Sequence, residues 1–534
     1  MFDKNEMAKA VTTSRRLVHN TLFNIVAFMS HAVVGFFLIP FLLGRLGPAR
    51  WGVWVLIGSI FRYRGILNMG LNSAVNRKIP VYLARDDEEG VQKVISTSLL
   101  FFSALAVVLA LVTLLFSGKI GVWFAIEPEL VRAAGVLVLV VGLCYAASSP
   151  LQLGTAALSG LQRYDITSKV ALMVLVVRTV LLVVLLLRGY GLVTMGLIFG
   201  LSELTVRGLQ CAFVGRLLPK VSISWKSVDF SLLKEMLFYG MNTFLYTTGA
   251  LIIYKASDLV IGIFLGTTEV GHFALAMAGI LLLSQFLQAF TAAIKPAVSD
   301  LDARDDQARV RQIAFLAQKY SLLFIIPAGC FLLIMGREFL TVWVGDKIQD
   351  PAVLDSLVTV LAILTAGHCL MLAQHSNFLV LVGRGQHRVF GLLTALEAAL
   401  CVSAAVFTVK VLGRGLAGIA WCNFVPMALV AGIVLPVYFN RKMQIRTRDN
   451  LAQVWWPALL GSLPGAAVMG LWKYLSPPDS WAELFACVAV VAGCTLACGW
   501  FVSLKAPEHR TLLAVLRRGR AQRPSEDAEI DPTG

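Results

Sequence analysis

Long apolar blocks, separated by short polar breaks, run along almost the whole chain. Val136–Tyr145, Met173–Leu187 and Leu484–Val502 lie within blocks long enough to cross a hydrocarbon core of about 30 Å as helices. Lipid offers the backbone no hydrogen-bond partner, so a spanning segment of this length must be helical. Hydrophobic residues make up 58% of the chain and charged residues 14%, which excludes an ordinary soluble domain. The sequence therefore predicts an all-α polytopic membrane protein.

Fourteen blocks of roughly 20 residues can be counted, and each is a predicted transmembrane span. Spans 2 and 8 have the least sharp limits because small and polar residues interrupt them. The predicted spans are 20–43, 51–75, 94–117, 133–158, 170–187, 190–214, 238–264, 271–294, 320–336, 356–382, 389–409, 415–439, 455–472 and 484–504.

Basic residues are distributed unevenly over the connections between these spans. The N-terminus and the even-numbered connections hold roughly three times as many Lys and Arg residues as the odd-numbered connections. Cytoplasmic loops of membrane proteins are enriched in these residues, so both termini are predicted to be cytoplasmic in a bacterial inner membrane. The same loops account for the net charge of +15, and no basic-aromatic module points to nucleic acid.

The membrane region contains two copies of one unit. Three motifs recur after 219 positions and two more after 224, in each case six spans later. Six is an even number, so both copies have the same orientation and an axis along the membrane normal relates them. Transporters built from two such lobes hold their substrate between the lobes. The matched motifs are Gly47 with Gly266, Gly52 with Gly271, Ala84–Asp87 with Ala303–Asp306, Gln162 with Gln386, and Gly191-Leu192 with Gly415-Leu416.

The duplication sets the predicted domain limits. Each lobe contains six spans, two further spans follow the second lobe, and the charged, Pro-containing end of the chain is predicted to be disordered. The predicted regions are a cytoplasmic N-terminus (1–19), the first lobe (20–215), a cytoplasmic linker (216–237), the second lobe (238–440), spans 13 and 14 (455–504) and a cytoplasmic tail (505–534).

Ionisable residues inside the spans are candidates for function, because each costs several kcal/mol unless it faces a cavity or a partner. Basic residues gather in the first lobe, which has four of them and one acid, whereas the second lobe has one basic residue and two acids. These residues are Arg62, Arg64, Arg178, Glu203 and Arg207 in the first lobe, and Lys255, Asp258 and Glu397 in the second.

Two of the acids have a basic neighbour on their own helix. Glu203 and Arg207 are four residues apart, and Asp258 lies three residues after Lys255, so each pair can form along one helix face. Pairing of this kind is compatible with a purely structural role and with a role in ion coupling, and the spacing leaves both open.

Arg62 and Arg64 have no acid within span 2, so a local pair is not available to them. Either span 2 is bent and the two side chains reach an interface, or they bind an anion. The planar fork of a guanidinium suits a diphosphate. Arg178 lies in the middle of span 5 without a local acid and is predicted to face a cavity.

Uncharged polar side chains inside the spans are either helix–helix hydrogen bonds or cavity lining. The candidates for cavity lining are His31 in span 1, Asn68 and Asn72 in span 2, and Gln285 and Gln288 in span 8.

Short motifs at the ends of several spans form a pattern of their own. They are Leu46-Gly47 with Gly52-Val53-Trp54, Leu67–Leu71, Asn76-Arg77, Asp258 with Ile261-Gly262 and Leu265-Gly266, Val270-Gly271, Gly383–Gln386, and Gly415–Gly418. This pattern resembles the polysaccharide flippases of the Wzx type, which belong to the multidrug/oligosaccharidyl-lipid/polysaccharide exporter superfamily. The resemblance covers spans 1–14.

The resemblance implies a fold of two six-helix bundles around a central, often cationic, cavity. It implies transport of undecaprenyl-diphosphate-linked oligosaccharide across the cytoplasmic membrane, with the diphosphate held by Arg62, Arg64, Arg178 and Arg207. Lipids and other polysaccharide assembly proteins, such as a polymerase, are the implied partners. The resemblance implies no cofactor. It does imply coupling to H⁺ or Na⁺ through Asp258, Glu203 or Glu397. In that family a basic residue usually lies closer in sequence to the aspartate. The three-residue separation of Lys255 and Asp258 departs from this pattern.

Three alternative functions are compatible with the class of protein. A flippase for the peptidoglycan precursor lipid II, of the MurJ type, shares the span count and the cationic cavity. A multidrug exporter of the same superfamily would need a cavity rich in acids and aromatics. A membrane-embedded glycosyltransferase or polymerase would need a large periplasmic loop, and the longest loop on that side, near Gly336–Asp355, has only about twenty residues. The flippase hypothesis predicts that Arg62→Ala and Arg178→Ala abolish surface polysaccharide.

Overall fold

The computed structural model describes residues 26, 28–348, 350–386 and 388–499, with backbone only at 242 and 243. The predicted cytoplasmic N-terminus (1–19) and tail (505–534), the first residues of span 1 and the last of span 14 lie outside these residues. Helices and short turns make up the described part of the chain, which contains no strand. Thirteen described helices are long and apolar enough to cross a membrane. The prediction of an all-α polytopic membrane protein is confirmed.

The thirteen helices correspond to predicted spans 1 and 3–14, several of them in two pieces. The helices of the first half are α1 (Phe28–Leu46), α2 (Pro48–Arg62), α3 (Arg64–Leu67), α4 (Leu71–Leu83), α5 (Glu88–Ser117), α6 (Ile120–Trp123), α7 (Pro128–Ser148), α8 (Gln152–Gly160), α9 (Tyr164–Leu187) and α10 (Leu192–Leu217). Those of the second half are α11 (Phe230–Phe264), α12 (Thr267–Thr291), α13 (Ile294–Ala303), α14 (Gln307–Ile334), α15 (Gly336–Val344), α16 (Pro351–Ala373), α17 (His375–Gly383), α18 (Arg388–Leu412), α19 (Leu416–Leu429), α20 (Leu435–Lys442), α21 (Thr447–Asn450), α22 (Trp456–Leu475) and α23 (Trp481–Cys498).

The second span is a broken helix. It comprises α2, α3 and α4, so the segment predicted as span 2 (51–75) is not one straight helix, which agrees with the alternative of a bent span. The first break falls at Tyr63, and the second at Asn68–Gly70, where Met69 has φ 47° and Gly70 has φ 72°. Backbone in this left-handed region cannot continue a right-handed helix, and glycine adopts it without steric cost. The breaks leave Arg62 and Arg64 on either side of a turn in the middle of the bundle.

The internal duplication is visible in the backbone. Left-handed φ angles and side-chain caps recur 219 positions apart, so the same turn precedes the same type of helix in both halves. The equivalent features are a positive φ at Gly47 and Gly266, a positive φ at Asp86 and Asp305, and an N-cap by Asp87 and Asp306. Spans 4 and 10 also break at equivalent places, before α8 and α17, which pack on α4 and α13 respectively. The lobe limits themselves stay a prediction.

The two equivalent caps yield a matched stability test. Asp87 Oδ1 accepts from Gly90 N at 2.7 Å, and Asp306 Oδ1 accepts from Arg309 N at 3.1 Å. Asp87→Ala and Asp306→Ala are each expected to lower the free energy of unfolding by about 1 kcal/mol, because each leaves a helix N-terminus uncapped. Chemical denaturation in detergent measures the effect. Asp479→Ala in an exposed loop is the control. If all three variants are as stable as the wild type, the two equivalent caps do not stabilise their helices.

The predicted linker 216–237 is partly helical. α10 ends at Leu217, and α11 already begins at Phe230 because Asp229 caps it through Ser231 N and Leu232 N. The segment between them lies against α5, since Ser224 N donates to Ser96 Oγ and Asp229 N donates to Thr97 Oγ1. The linker thus fixes the start of α11 to the first half of the chain.

Close contact between the two halves occurs near one end of the bundle through α2 and α12. A methyl group at Gly52 would overlap the carbonyl oxygen of Thr267, and one at Gly271 would lie 3.0 Å from the carbonyl oxygen of Pro48. Gly52 and Gly271 are equivalent positions of the duplication, so the same small residue is used on both sides of this contact. Backbones can approach this closely only where side chains are absent.

A second close contact lies toward the opposite end, between the broken second span and α11. A methyl group at Gly70 would lie 2.6 Å from Gly240 Cα, and Lys78 Nζ donates to Glu235 Oε1 at 2.7 Å. Between the two contacts, Ser59 Oγ donates to buried Asp258 Oδ2 at 2.6 Å and joins α2 to α11. The halves therefore meet at both ends and enclose space in the middle.

Candidate functional site

Two adjoining cavities occupy the middle of the bundle. The first, of about 750 Å³, is lined mainly by the first half of the chain, and the second, of about 530 Å³, mainly by α11, α12, α16 and α18. Arg62, Lys255 and Gln285 line both cavities, so the two volumes meet at these side chains. A site between the halves is what the duplication predicts for a transporter.

Arg62 lies at the junction of the two cavities. It is the last residue of α2, directly before the first break, and its side chain is exposed. Among the described residues it has no ion-pair or hydrogen-bond partner. A guanidinium in the middle of a membrane protein without a counter-ion is a strong site for an anion from outside the chain.

Arg64 does have an acidic partner, contrary to the expectation from span 2 alone. Its Nη2 donates to Glu203 Oε1 at 3.1 Å, and Arg207 Nε donates to the same oxygen at 3.0 Å. The acid comes from α10, so a sequence search confined to one span could not find it. The guanidinium of Arg64 also lies 4.0 Å from the ring centroid of Tyr145, a cation–π contact.

Arg207 is anchored a second time by α8. Its Nη1 donates to Thr155 Oγ1 at 2.6 Å, and Thr155 in turn hydrogen-bonds Gln210. The i, i+4 pair with Glu203 and this contact hold Arg207 in a defined place on the cavity wall.

Arg178 stands one layer behind the cavity. Its guanidinium lies 4.5 Å from the ring centroid of Phe199, and that ring lines the first cavity. The prediction that Arg178 itself faces the cavity is wrong in this detail, because the aromatic face of α10 covers it. Its charge still contributes to the field within the cavity, since the Phe199 ring next to it is itself part of the cavity wall.

Lys255 and Asp258 form the predicted pair on α11. Lys255 Nζ lies 2.9 Å from Asp258 Oδ2, which also accepts from Ser59. Asp258 is buried away from the cavities, whereas Lys255 lines both of them. The aspartate is therefore fully engaged within the protein.

The uncharged polar candidates lie along the walls of the two cavities. His31, Asn68 and Asn72 line the first cavity, Gln285 lines both, and Gln288 lines the second. Asn68 also joins two helical segments, because its Nδ2 donates to Gln152 Oε1 at 2.9 Å, whereas Gln288 Nε2 donates to Ser284 Oγ on its own helix at 3.1 Å. The two interpretations of these residues are compatible.

The second cavity contains a buried acid. Glu397 lies on α18, its side chain lines the cavity, and its Oε1 has no hydrogen-bond partner among the described residues. Tyr246, Tyr254 and Thr394 share the same wall. An unpaired carboxylate in this setting is stable when it binds a proton or a metal cation.

Sequence reasoning missed Tyr145, Gln152 and Thr155. Gln152 is a polar residue inside predicted span 4 and meets the same criterion as Asn68, so that criterion could have found it. Tyr145 and Thr155 carry no distinguishing signal, because aromatic and hydroxyl side chains are common in membrane helices.

The first cavity is strongly cationic. Arg62, Arg64 and Arg207 line it, Arg178 lies behind it, and the carboxylate of Glu203 is the acid that pairs with this group. The second cavity has Lys255, paired to Asp258, and the acid Glu397. This arrangement favours an anionic ligand in the first cavity.

A family model described as polysaccharide biosynthesis protein matches residues 42–352, which is more than half of the chain. The chain belongs to this family. Among the relatives, it is 23% identical to the uncharacterized membrane protein EpsK of Bacillus subtilis over 512 residues, covering 93% of this chain and 97% of EpsK. It is 22% identical over 478 residues to Agl15 of Haloferax volcanii, named as a probable low-salt glycan biosynthesis flippase, covering 88% and 92% of the two chains.

Solved structures have the same fold at low sequence identity. The lipid II flippase MurJ in an inward closed conformation superimposes with a TM-score of 0.65 at 15% identity, covering 90% of this chain and 98% of that one. The resemblance is thus confirmed for the polysaccharide biosynthesis family and for the fold.

Proposed function

We propose that this protein is a flippase that translocates an undecaprenyl-diphosphate-linked oligosaccharide across a bacterial cytoplasmic membrane by alternating access. The observation that carries the proposal is Arg62, an arginine at the junction of two central cavities that has no counter-ion in the described part of the chain. A diphosphate is the anionic group of such a lipid, and guanidinium donors match its oxygens. The family and the name of the Agl15 relative support a glycan as cargo.

In this proposal Arg62, Arg64 and Arg207 hold the diphosphate, and Arg178 adds positive potential from behind Phe199. The sugars occupy the hydrated, polar part of the cavities beside Asn68, Asn72 and Gln285, while the polyprenyl chain stays in lipid. The protein is a transporter and not an enzyme. Both termini are cytoplasmic, and a polysaccharide polymerase acts on the product after release.

Ion coupling in this proposal belongs to Glu397. Asp258 is neutralised by Lys255 and accepts a hydrogen bond from Ser59, and Glu203 is paired with two arginines. Glu397, by contrast, is buried, and one of its oxygens has no partner among the described residues. A carboxylate that binds and releases H⁺ or Na⁺ would change the relative stability of the two arrangements of the lobes.

Glu397→Gln is expected to make flipping in vesicles independent of an imposed H⁺ or Na⁺ gradient, because the amide cannot change its charge. Binding of the diphosphate lipid is expected to stay within about threefold of wild type, since Glu397 lies in the other cavity. Flipping is measured with and without the gradient. Glu129→Gln, at an exposed helix start, is the control, and a variant that keeps the full gradient response would refute this role.

Two alternative cargoes are separated by a genetic test. Wild-type protein is expressed in one strain that lacks its polysaccharide flippase and in another depleted of its lipid II flippase. Restored surface polysaccharide with no rescue of growth in the second strain is the expected result. The reverse result would assign the lipid II function. If neither strain is rescued and drug resistance increases, the protein is a multidrug exporter. The cationic first cavity disfavours this outcome for cationic drugs.

A further inference from the structure

One carboxylate oxygen of Glu203 accepts hydrogen bonds from two arginines that come from different elements. Arg64 Nη2 lies 3.1 Å and Arg207 Nε lies 3.0 Å from Oε1. A guanidinium binds a carboxylate or phosphate most strongly when two of its N–H donors bond to two different oxygens. Here each guanidinium uses one donor on the shared oxygen, so both keep donors for another acceptor.

Arg64 and Arg207 can be reached from the cavity, and Glu203 is partly exposed beside them. The side chains of Arg64, Arg207 and Glu203 are 19%, 22% and 24% exposed, and both arginines line the first cavity. The pair is therefore not a sealed structural ion pair of the kind whose separation would leave buried charges without solvent.

The two arginines differ in how firmly they are held. Arg207 is on the same helix as Glu203 and is also bound to Thr155. Arg64 has Glu203 as its only hydrogen-bond partner among the described residues, beside a cation–π contact with Tyr145. It belongs to the four-residue helix α3, which lies between the break at Tyr63 and the break at Asn68–Gly70. A short segment between two breaks can turn with little loss of backbone hydrogen bonding, so Arg64 is the partner that can move.

We propose that Glu203 is a built-in counter-ion that takes the place of the cargo's diphosphate when the site is empty, and that Arg64 exchanges Glu203 for a phosphate oxygen of the cargo. This inference rests on the proposed function. Arg207 keeps its bond to Glu203 throughout. Glu203 is thus a positioning residue that competes with the cargo.

The exchange has a physical advantage for transport. Four arginines around an empty cavity repel one another, and a tightly bound diphosphate would leave slowly. A tethered carboxylate lowers the repulsion in the empty site and returns to Arg64 as the cargo departs. The cost is weaker binding, which a transporter tolerates better than slow release.

The test compares binding and flipping in full-length wild type and Glu203→Gln, which has the same shape without the charge. The binding probes are inorganic pyrophosphate and farnesyl diphosphate, in detergent. The expected result for Glu203→Gln is binding tighter by at least about tenfold, because hydrogen bonds to a charged group contribute enough for such a change. Flipping of the lipid-linked glycan is expected to be slower, because release is no longer assisted.

Two further variants serve as controls for this comparison. Glu129→Gln removes one negative charge far from the cavity and is expected to bind the probes like wild type. Glu203→Asp keeps the charge but withdraws it from Arg64 by one methylene, so an intermediate gain in affinity is expected. If Glu203→Gln does not fold, Glu203→Asp decides the question by the same comparison.

The outcomes separate this inference from the proposed function. Wild type that binds diphosphate, with Glu203 variants that bind equally or more weakly, would overturn the counter-ion role alone. No binding to wild type or to any Glu203 variant would overturn both. Binding that is tighter in Glu203→Gln, whatever the affinity of wild type, supports the exchange.

Discussion

Replacing Arg62 with glutamine is expected to abolish flipping while the protein remains folded in the membrane. Arg62 lines both cavities and has no ion-pair or hydrogen-bond partner within the residues that the structure describes. Its loss therefore removes a donor of charge-assisted hydrogen bonds to the diphosphate and breaks no ion pair among those residues. Such bonds contribute about 1.5–3 kcal/mol, which corresponds to a loss of roughly 10- to 150-fold in diphosphate affinity. Binding of farnesyl diphosphate and flipping in vesicles measure the effect.

The matched control for this prediction is Arg188→Gln. Arg188 is an exposed arginine at the end of α9 in the same lobe, so its replacement makes the same change of net charge outside the cavity. It is expected to bind and flip like wild type. Arg62→Gln with unaltered diphosphate binding would show that the cargo is held elsewhere.

Replacing Gly52 with alanine is expected to reduce flipping by at least roughly tenfold. The added methyl group would overlap the carbonyl oxygen of Thr267, which is backbone and cannot move aside as a flexible side chain can. Overpacking of this kind costs about 1–3 kcal/mol, and here the cost falls on the conformation in which α2 packs against α12. A transporter that must form this contact in every cycle would spend most of its time in the other arrangement.

Two measurements accompany the Gly52 prediction. Flipping in vesicles gives the rate, and thermal unfolding in detergent tells whether the variant is folded. Gly470→Ala is the control, because Gly470 lies within α22 and a methyl group there meets open space. A folded Gly52→Ala that flips at the wild-type rate would show that the close contact of the lobes is not required for transport.

Much of the fold follows from the sequence because its signals are local or periodic. Apolar blocks of helical length predict the spans, and the recurrence of Gly47 and Asp86-Asp87 after 219 positions predicts turns that the backbone repeats at Gly266 and Asp305-Asp306. The broken second span was only indicated, by its polar and small residues. The place of the breaks depends on left-handed backbone at Met69 and Gly70, and on a close approach to Gly240. That approach is a tertiary contact and has no local signature.

The candidate site, like the fold, could be predicted from the sequence only in part. The principle that charges inside a membrane segment are costly selected Arg62, Arg64 and Glu397 as functional candidates, and all three line a cavity. It could not predict that Glu203 on α10 pairs with Arg64 on α3, nor that Phe199 covers Arg178. Both outcomes depend on how helices distant in sequence are rotated toward one another, and neither periodicity nor spacing specifies that rotation.

If the first-lobe arginines hold the lipid-linked glycan by its diphosphate, transport must depend on that charged group. Purified wild type, Arg62→Gln and Arg188→Gln are reconstituted into vesicles with two labelled lipids, an undecaprenyl-diphosphate oligosaccharide and the same oligosaccharide on uncharged undecaprenol. Wild type and Arg188→Gln are expected to flip only the diphosphate lipid, and Arg62→Gln is expected to flip neither. Equal flipping of the two lipids by wild type, or undiminished flipping of the diphosphate lipid by Arg62→Gln, would contradict it.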